Sequence, residues 1–307
     1  MKNGKITKLD KKMNMIKEKE EKGLLKNQKV NRSLRKFLNN KLATIGLFTL
    51  ICITLLSVFA PFITRYGPGE IDLRNRLQPP SREHIFGTDK IGRDVFARVL
   101  YGGRISILVG LGSGIGSAIV GVSIGSYAGY KGGLLDKIFL RISEALIAFP
   151  QIILVLLLVT IVGQSLWNLL FIFILTGWAP MYRMARARML SIREEEYVQA
   201  LKSFGVNDFI ICYKHMLPNA IGPIVINITL STAMFILQET SLSFLGLGVP
   251  LNLPTWGNIL YAAQDLSVLR NNWWIWLPPG IVISVFVLSL NFVGDGLRDA
   301  FDSTYQG

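Results

Sequence analysis

Long apolar stretches without a single charge alternate along this chain with short polar clusters. Residues 42–63 carry no charge, and neither do residues 105–130. From Ala145 to Tyr182 no charge occurs across 38 positions, and another uncharged run extends from Asn271 to Gly294. A helix needs about 20 apolar residues to cross a bilayer. The 38-residue run is too long for one crossing, and its polar break at Gly163-Gln164-Ser165 predicts two helices joined by a tight turn. Ala220 to Leu245 is a further run, interrupted by one acid, Glu239. The pattern therefore predicts six helices, near 42–63, 105–130, 138–162, 166–184, 219–245 and 273–294. Backbone in lipid must satisfy its own hydrogen bonds, which makes long apolar segments helical. The alternating short strands of a membrane barrel do not occur. The expected class is an all-α integral membrane protein.

Composition agrees. The chain has 307 residues, 50% of them hydrophobic, and a mean hydropathy of +0.41, which a soluble domain of this length rarely reaches. Lys and Arg placement sets the orientation. The first 41 residues hold 14 Lys/Arg against 4 acids, which places the N-terminus in the cytoplasm. Six crossings return the C-terminus, and the loops 131–137 and 185–218, to the same side. Residues 64–104 are the exception, with 8 Lys/Arg against 5 acids in a segment expected outside. That surplus is assigned to a lateral amphipathic helix ahead of the second span. The net charge of +13 sits mostly in the N-terminal tail, where topology and anionic membrane lipid account for it. No recognition-helix or zinc spacing accompanies it, so nucleic acid is not an expected partner. The tail, Lys-rich and mixed with Glu from Lys5 to Lys29, is expected to be partly disordered or surface-helical. It is too long ahead of the first apolar run to be a cleaved signal. Three divisions follow: a basic tail (1–41), a first helix with its external segment (42–104), and a core (105–307) carrying a loop at 194–218. Cys52 and Cys212 are expected at different membrane levels and unbridged, and with His84 and His215 they build no metal framework.

The second apolar run is rich in small residues at four-residue spacing: Gly110, Gly114 and Ala118, then Gly121, Gly125 and Gly129. Such spacing lets helix backbones approach closely in lipid. It reads as ordinary helix packing or as the packing face of a moving core. G-x-x-x-x-G-K-[ST] occurs nowhere, so ATP is not expected to bind this chain through such a loop. Acids in membranes are costly and often functional. Glu144 follows Lys137 and Arg141, which predicts local pairing near an interface. Glu239 falls toward the outer end of the fifth helix, where it either faces a water-filled path or caps the hydroxyls of Thr240, Ser241 and Ser243. Pro150, Pro180, Pro223, Pro278 and Pro279 are candidate kinks. Trp273, Trp274 and Trp276 read as an interfacial belt.

The stretch Gln199-Ala200-Leu201-Lys202-Ser203-Phe204-Gly205 is followed, after nine intervening residues, by His215-Met216-Leu217-Pro218. It is amphipathic and polar between two apolar runs, and it reads as a docking element broken at Gly205. Gly205 is expected at positive φ, Ala200 facing a partner, and Asp208 capping the next helix. The spacing resembles the EAA loop of importer-type ABC permeases, with Leu201 in place of the second Ala and His215 in place of Ile. Phe86-Gly87-Thr88-Asp89-Lys90-Ile91-Gly92-Arg93-Asp94-Val95-Phe96 resembles a signature of the C-type permease of oligopeptide and dipeptide importers, in the peptide/nickel group. Ser241-Leu242-Ser243-Phe244-Leu245-Gly246-Leu247-Gly248 with Trp256-Gly257-Asn258, and Gly294-Asp295-Gly296-Leu297-Arg298-Asp299-Ala300, are similar to two further blocks of it.

The resemblance implies a type I importer permease with six transmembrane helices and a cytoplasmic EAA coupling loop. It implies ATPase-coupling roles for Gln199, Ala200, Gly205, Asp208, Leu217 and Pro218. The implied partners are a homologous second permease, two cytoplasmic ATPases and an extracytoplasmic binding protein. ATP and Mg would serve those ATPases, with no cofactor on this chain. The implied cargo is a short peptide, with nickel chelates or glutathione as alternatives. Glu239 is the candidate residue of the translocation pathway. An ion-coupled carrier is the rival from another class, and it needs intramembrane acids, of which Glu239 is the sole candidate. An intramembrane enzyme is disfavoured because no H-E-x-x-H occurs and neither His lies in a span. The expected location is the plasma membrane, with both termini cytoplasmic.

Overall fold

The computed structural model describes residues 34–301. The disorder or surface helix expected of Lys5 to Lys29 falls outside the described residues. Apart from one isolated bridge between Thr88 and Asp94, the regular structure among the described residues is helical. The main helices are α1 (Lys41–Val58), α2 (Val95–Lys131), α3 (Gly133–Ala148), α4 (Gln151–Val162), α5 (Leu166–Ile192), α6 (Glu196–Ser203), α7 (Ile221–Phe244) and α8 (Trp273–Phe301).

α2 starts ten residues before the apolar run that announced it. Asp94 is the reason: its carboxylate accepts from the Ala97 amide at 2.6 Å and caps the helix. The resulting 37-residue rod is about 55 Å long, against a hydrocarbon thickness of about 30 Å. Both ends therefore project past the lipid, which is why Arg98 and Arg104 can sit on it. Arg104 donates to the carbonyls of Ser57 (2.7 Å) and Val58, two of the groups left open where α1 ends. The lateral amphipathic helix expected before α2 is not formed. Residues 64–94 hold one short 3₁₀ turn, Leu73–Asn75, because their polar side chains bind loop backbone instead.

The single helix expected at 138–162 is two. α3 and α4 meet at a 93° bend at Phe149–Pro150. Proline excludes its predecessor from the helical region, and Phe149 is accordingly extended at φ −94°, ψ 141°. α5 runs through Pro180 to Ile192, eight residues past its expected end. Among the described residues, four helices are long and apolar enough to cross a membrane: α1, α2, Asp208–Phe244 and α8; the bent α3–α4 pair makes a fifth if it is one span. α5 has the length, but Asn168, Trp178, Pro180 and Arg183 dilute its apolar run. Phe48, Ile119, Ile161, Phe171 and Leu288 point outward, as lipid-facing side chains do.

The glycines of α2 set the packing. A Cβ on Gly125 would stand 2.5 Å from the Tyr182 carbonyl oxygen, and one on Gly129 2.7 Å from that of Arg186; Gly121 meets the Trp178 carbonyl in the same way. This stripe lays α2 against the α5 backbone. Gly114 does the same for α7, where Thr232 Oγ1 lies 2.7 Å from a Cβ position. α1 crosses α8, where Gly46 faces the Ser289 carbonyl. The expected Trp belt is only partly surface. Trp273 is exposed, but Trp274 is buried with Val95, Val99 and Ile275 and donates to the Thr88 carbonyl at 3.3 Å.

Candidate functional site

Between α5 and α7 the chain leaves the bundle and folds on the end of α2. α6 is amphipathic: Val198 is fully buried while Gln199 and Ala200 are exposed. Gln199 Nε2 donates to the Arg193 carbonyl at 2.9 Å and closes the entry to α6. The helix then stops as expected. Gly205 has φ 71°, its amide donates to the Lys202 carbonyl (3.0 Å), and the Val206 amide donates to the Leu201 carbonyl (3.1 Å). This pair of bonds satisfies carbonyls left open at the helix end. No atom lies within 4 Å of a Cβ added to Gly205, so the glycine serves the backbone angle alone.

Asp208 does not cap the next helix. Asn207 does, accepting from the Phe209 amide at 2.8 Å. Asp208 instead receives a hydrogen bond from Tyr130 Oη (2.7 Å) and pairs with Lys131 Nζ. Lys202 Nζ stands 5.0 Å above the Tyr130 ring, and Tyr213 Oη donates to the Ser123 carbonyl at 2.8 Å. Four contacts thus fasten the segment to the last turns of α2. Beneath them Val198, Ile211, Cys212 and Met216 pack with Tyr130, Met189 and Ile192. Cys212, read from sequence as a loop residue, has no exposed surface.

Leu217-Pro218 does not close the segment either. The chain winds from Asp208–Ile210 through a π-helical stretch, Ile211–Met216, and a 3₁₀ turn, Leu217–Ala220, straight into α7. Widening and then tightening the helix accommodates the donor that Pro218 lacks. Asn219 Nδ2 donates to Tyr197 Oη at 3.0 Å and so ties this helix back to α6. Of the residues singled out from sequence, Gln199, Ala200, Gly205, Asp208, Leu217 and Pro218 all lie in this one unit. Tyr130, Lys131, Asn207, Tyr197 and Asn219 were missed. The Tyr130-Lys131 pair carries a weak signal, since Lys131 is the first charge after a 26-residue uncharged run, but nothing in the sequence names its partner.

The opposite, distal end of α2 is also knotted. Asp94 accepts from buried His84 at 2.9 Å when Nδ1 carries the proton, and His84 stacks on Tyr66. Asp89 accepts from the Ile91 and Arg93 amides, both at 3.0 Å, and from Arg93 Nε at 2.7 Å. The loop after α7 packs on the same end. Ser106 Oγ on α2 accepts from the Trp256 amide at 3.1 Å, and Trp256 Nε1 donates to the Val99 carbonyl at 3.0 Å. Glu239 is fully buried among these groups: Ser243 Oγ donates to it at 2.7 Å and Ser106 Oγ at 3.3 Å. Of the three hydroxyls expected around it, only that of Ser243 binds it, Ser241 Oγ donating instead to the Leu237 carbonyl; the bond from Ser106 joins α7 to α2. Lys90 Nζ bonds Asp265 Oδ2 at 2.5 Å, and this bond, with the Ser267 amide, holds the Asp265 carboxyl below the usual carboxylate range. Glu144 pairs with Arg141 at 3.0 Å, as its position predicted. The C-terminal block packs on the first helix, with Asn40 Nδ2 donating to Asp299 at 3.1 Å.

Comparison with known proteins gives this architecture its relatives. Residues 121–306 match the binding-protein-dependent transport system inner membrane component family, and residues 31–80 match the N-terminal transmembrane domain of oligopeptide transport permease C. A putative peptide permease protein of Brucella suis biovar 1 is 42% identical over 88% of this chain and 90% of its own length. The oligopeptide transport system permease protein OppC of Bacillus subtilis is 38% identical over 88% of both chains. The dipeptide transport system permease protein DppC of the same organism is 40% identical over 87% of this chain and 83% of its own. The chain therefore belongs to the binding-protein-dependent inner membrane transport components, in their C-type oligopeptide and dipeptide permease branch.

Proposed function

We propose that this chain is one of two permease subunits in an ATP-driven importer of short peptides. The observation that carries the coupling part of this reading is the segment 194–218. It is a rigid two-helix unit with one face buried against α2, and its other face leaves Gln199, Ala200, Phe204 and Phe209 exposed. A small residue beside exposed aromatics at the end of a bundle suits docking into a cleft of another protein. The partner is a cytoplasmic ATPase, present twice, which binds ATP and Mg and performs the hydrolysis. A homologous permease completes the pathway, and an extracytoplasmic binding protein delivers cargo. The relatives named for oligopeptide and dipeptide transport favour peptide over nickel chelates or glutathione.

The membrane crossings are α1, α2, the bent α3–α4 pair, α5, α7 and α8, six in all. Both termini and the coupling segment then face the cytoplasm of a plasma-membrane protein, and residues 64–94 face outward. Lys and Arg flanking α3 and α5 support that orientation. In cysteine-free protein, an impermeant thiol reagent applied to intact cells should label exposed Arg82→Cys and not exposed Lys214→Cys. The opposite labelling pattern would invert the scheme. The native Cys212 is unsuitable for this test because it is buried.

Gly205 separates the coupling role from a passive turn. A side chain at φ 71° costs about 1–2 kcal/mol, and asparagine tolerates that angle better than a β-branched residue. Gly205→Val should insert at normal abundance, lose at least five-fold in peptide uptake, and retain less ATPase on purification. Gly205→Asn should keep most of the uptake. Normal uptake and full ATPase retention in Gly205→Val would show that this segment is not the coupling element.

Glu239 supports the outer end of the pathway by holding α7, Ser106 and the Trp256 loop in one hydrogen-bonded group. Glu239→Gln should reduce uptake several-fold at equal membrane abundance, since it keeps the volume and removes the carboxylate. Unchanged uptake at equal abundance would reduce Glu239 to a packing residue.

A further inference from the structure

One charge at the distal end of α2 has, among the described residues, only a long ion pair to a carboxylate that it shares with Arg93. Arg98 is 2% exposed. Its guanidinium makes one hydrogen bond, to the Pro68 carbonyl at 3.3 Å, and stands 4.0 Å from Asp89. Asp89 is already committed to Arg93 and two amides. Lys90, the third nearby cation, is matched by Asp265. A guanidinium carries five N–H donors, and a buried charge lacking close anions is destabilising. Arg98 is thus the surplus cation of its neighbourhood.

That neighbourhood is a cavity. It is a half-open cleft of about 470 Å³ lined by Arg98, Asn258, Tyr261 and Gln264, with the ion pairs Asp89–Arg93 and Lys90–Asp265 on its walls. The volume falls within the range of about 300–1,000 Å³ typical of small-molecule sites. Asn258, 5% exposed, supplies a second, independent irregularity. Its Nδ2 donates to the carbonyls of Val249, Pro250 and Leu253, whereas its buried Oδ1 has no partner. Buried side-chain acceptors are normally satisfied. The lining therefore presents spare cationic donors, while the unpaired Asn258 Oδ1 is buried, out of a ligand's direct reach. The coupling segment uses neither, being about 50 Å away along α2.

We infer that this cleft recognises the C-terminal end of a short peptide. A terminal carboxylate takes the free donors of Arg98 in the paired geometry that guanidinium favours. An amidated terminus offers Arg98 no charge. The inference rests on the peptide-importer reading and adds a recognition site on the permease itself, distinct from any on the binding protein.

The test uses the complete transporter in lipid nanodiscs without its binding protein, with radiolabelled trialanine and trialanine amide as probes. The wild type should bind the free acid at least ten-fold more tightly than the amide. Arg98→Gln should abolish that preference, and Arg98→Lys should keep part of it. Equal binding of acid and amide by the wild type, or no binding of either, overturns the proposal without reliance on any variant. So does a preference that survives Arg98→Gln. Uptake of trialanine with the binding protein present separates the two levels of failure. If uptake occurs and acid and amide bind alike, only the cleft assignment fails. If trialanine and other short peptides are not taken up at all, the peptide-importer reading fails with it.

Discussion

Gly121, Gly125 and Gly129 bring the backbone of α2 against the carbonyls of Trp178, Tyr182 and Arg186, where any β-carbon would collide. Lipid provides no hydrophobic drive between helices, so close backbone packing and polar ties must hold the bundle. This contact supplies the first. The second lies beside it: Arg186 and Tyr182 on α5 both bind Asp136 on α3. α2, α3 and α5 are thereby joined along one surface, and α2 is one continuous 37-residue helix whose two ends hold different segments.

The proximal end of the rod carries Tyr130 and Lys131, both bound to Asp208. The distal end carries Asp94, Arg98 and Ser106, which organise the loop before α2 and the loop after α7. A push on the segment 194–218 is therefore applied to the same helix that walls the distal cleft. Glu239 extends the connection, because it ties α7 to Ser106. Adjacency of this kind motivates a coupling route but does not measure one. On the coupling reading proposed above, Asp208 is the point at which force enters the membrane helices.

The apolar runs made most of the helices readable, and the Gly205 turn followed from one residue and its spacing. The misread parts have specific causes. Hydrophobicity reports the lipid-length portion of a helix, so it missed the first turns of α2, which Asp94 caps. Pro150 was visible as a kink, but the sequence carries no measure of its angle, which is 93°. The cap was given to Asp208 in place of its neighbour Asn207, since both types cap helices and only tertiary contact with Tyr130 and Lys131 draws Asp208 away. Long-range partners such as Glu239 with Ser106, 133 residues apart, leave no local pattern to read. Arg98 was counted as part of a basic surplus because burial is invisible in composition.

Asp208 and Lys131 are partly exposed, with side-chain exposures of 39% and 53%, and such pairs contribute at most about 1 kcal/mol to stability. Their charges can therefore be exchanged without unfolding the bundle. The most direct measurement is peptide uptake per ATP hydrolysed in proteoliposomes carrying Asp208→Lys, Lys131→Asp and the two together. Each single reversal should lower that ratio several-fold, and the double reversal should return it to within about two-fold of wild type, as expected for residues coupled through one contact. A ratio unaffected by either single change, or a double variant no better than its worse parent, would contradict the claim that the segment drives the membrane helices through Asp208.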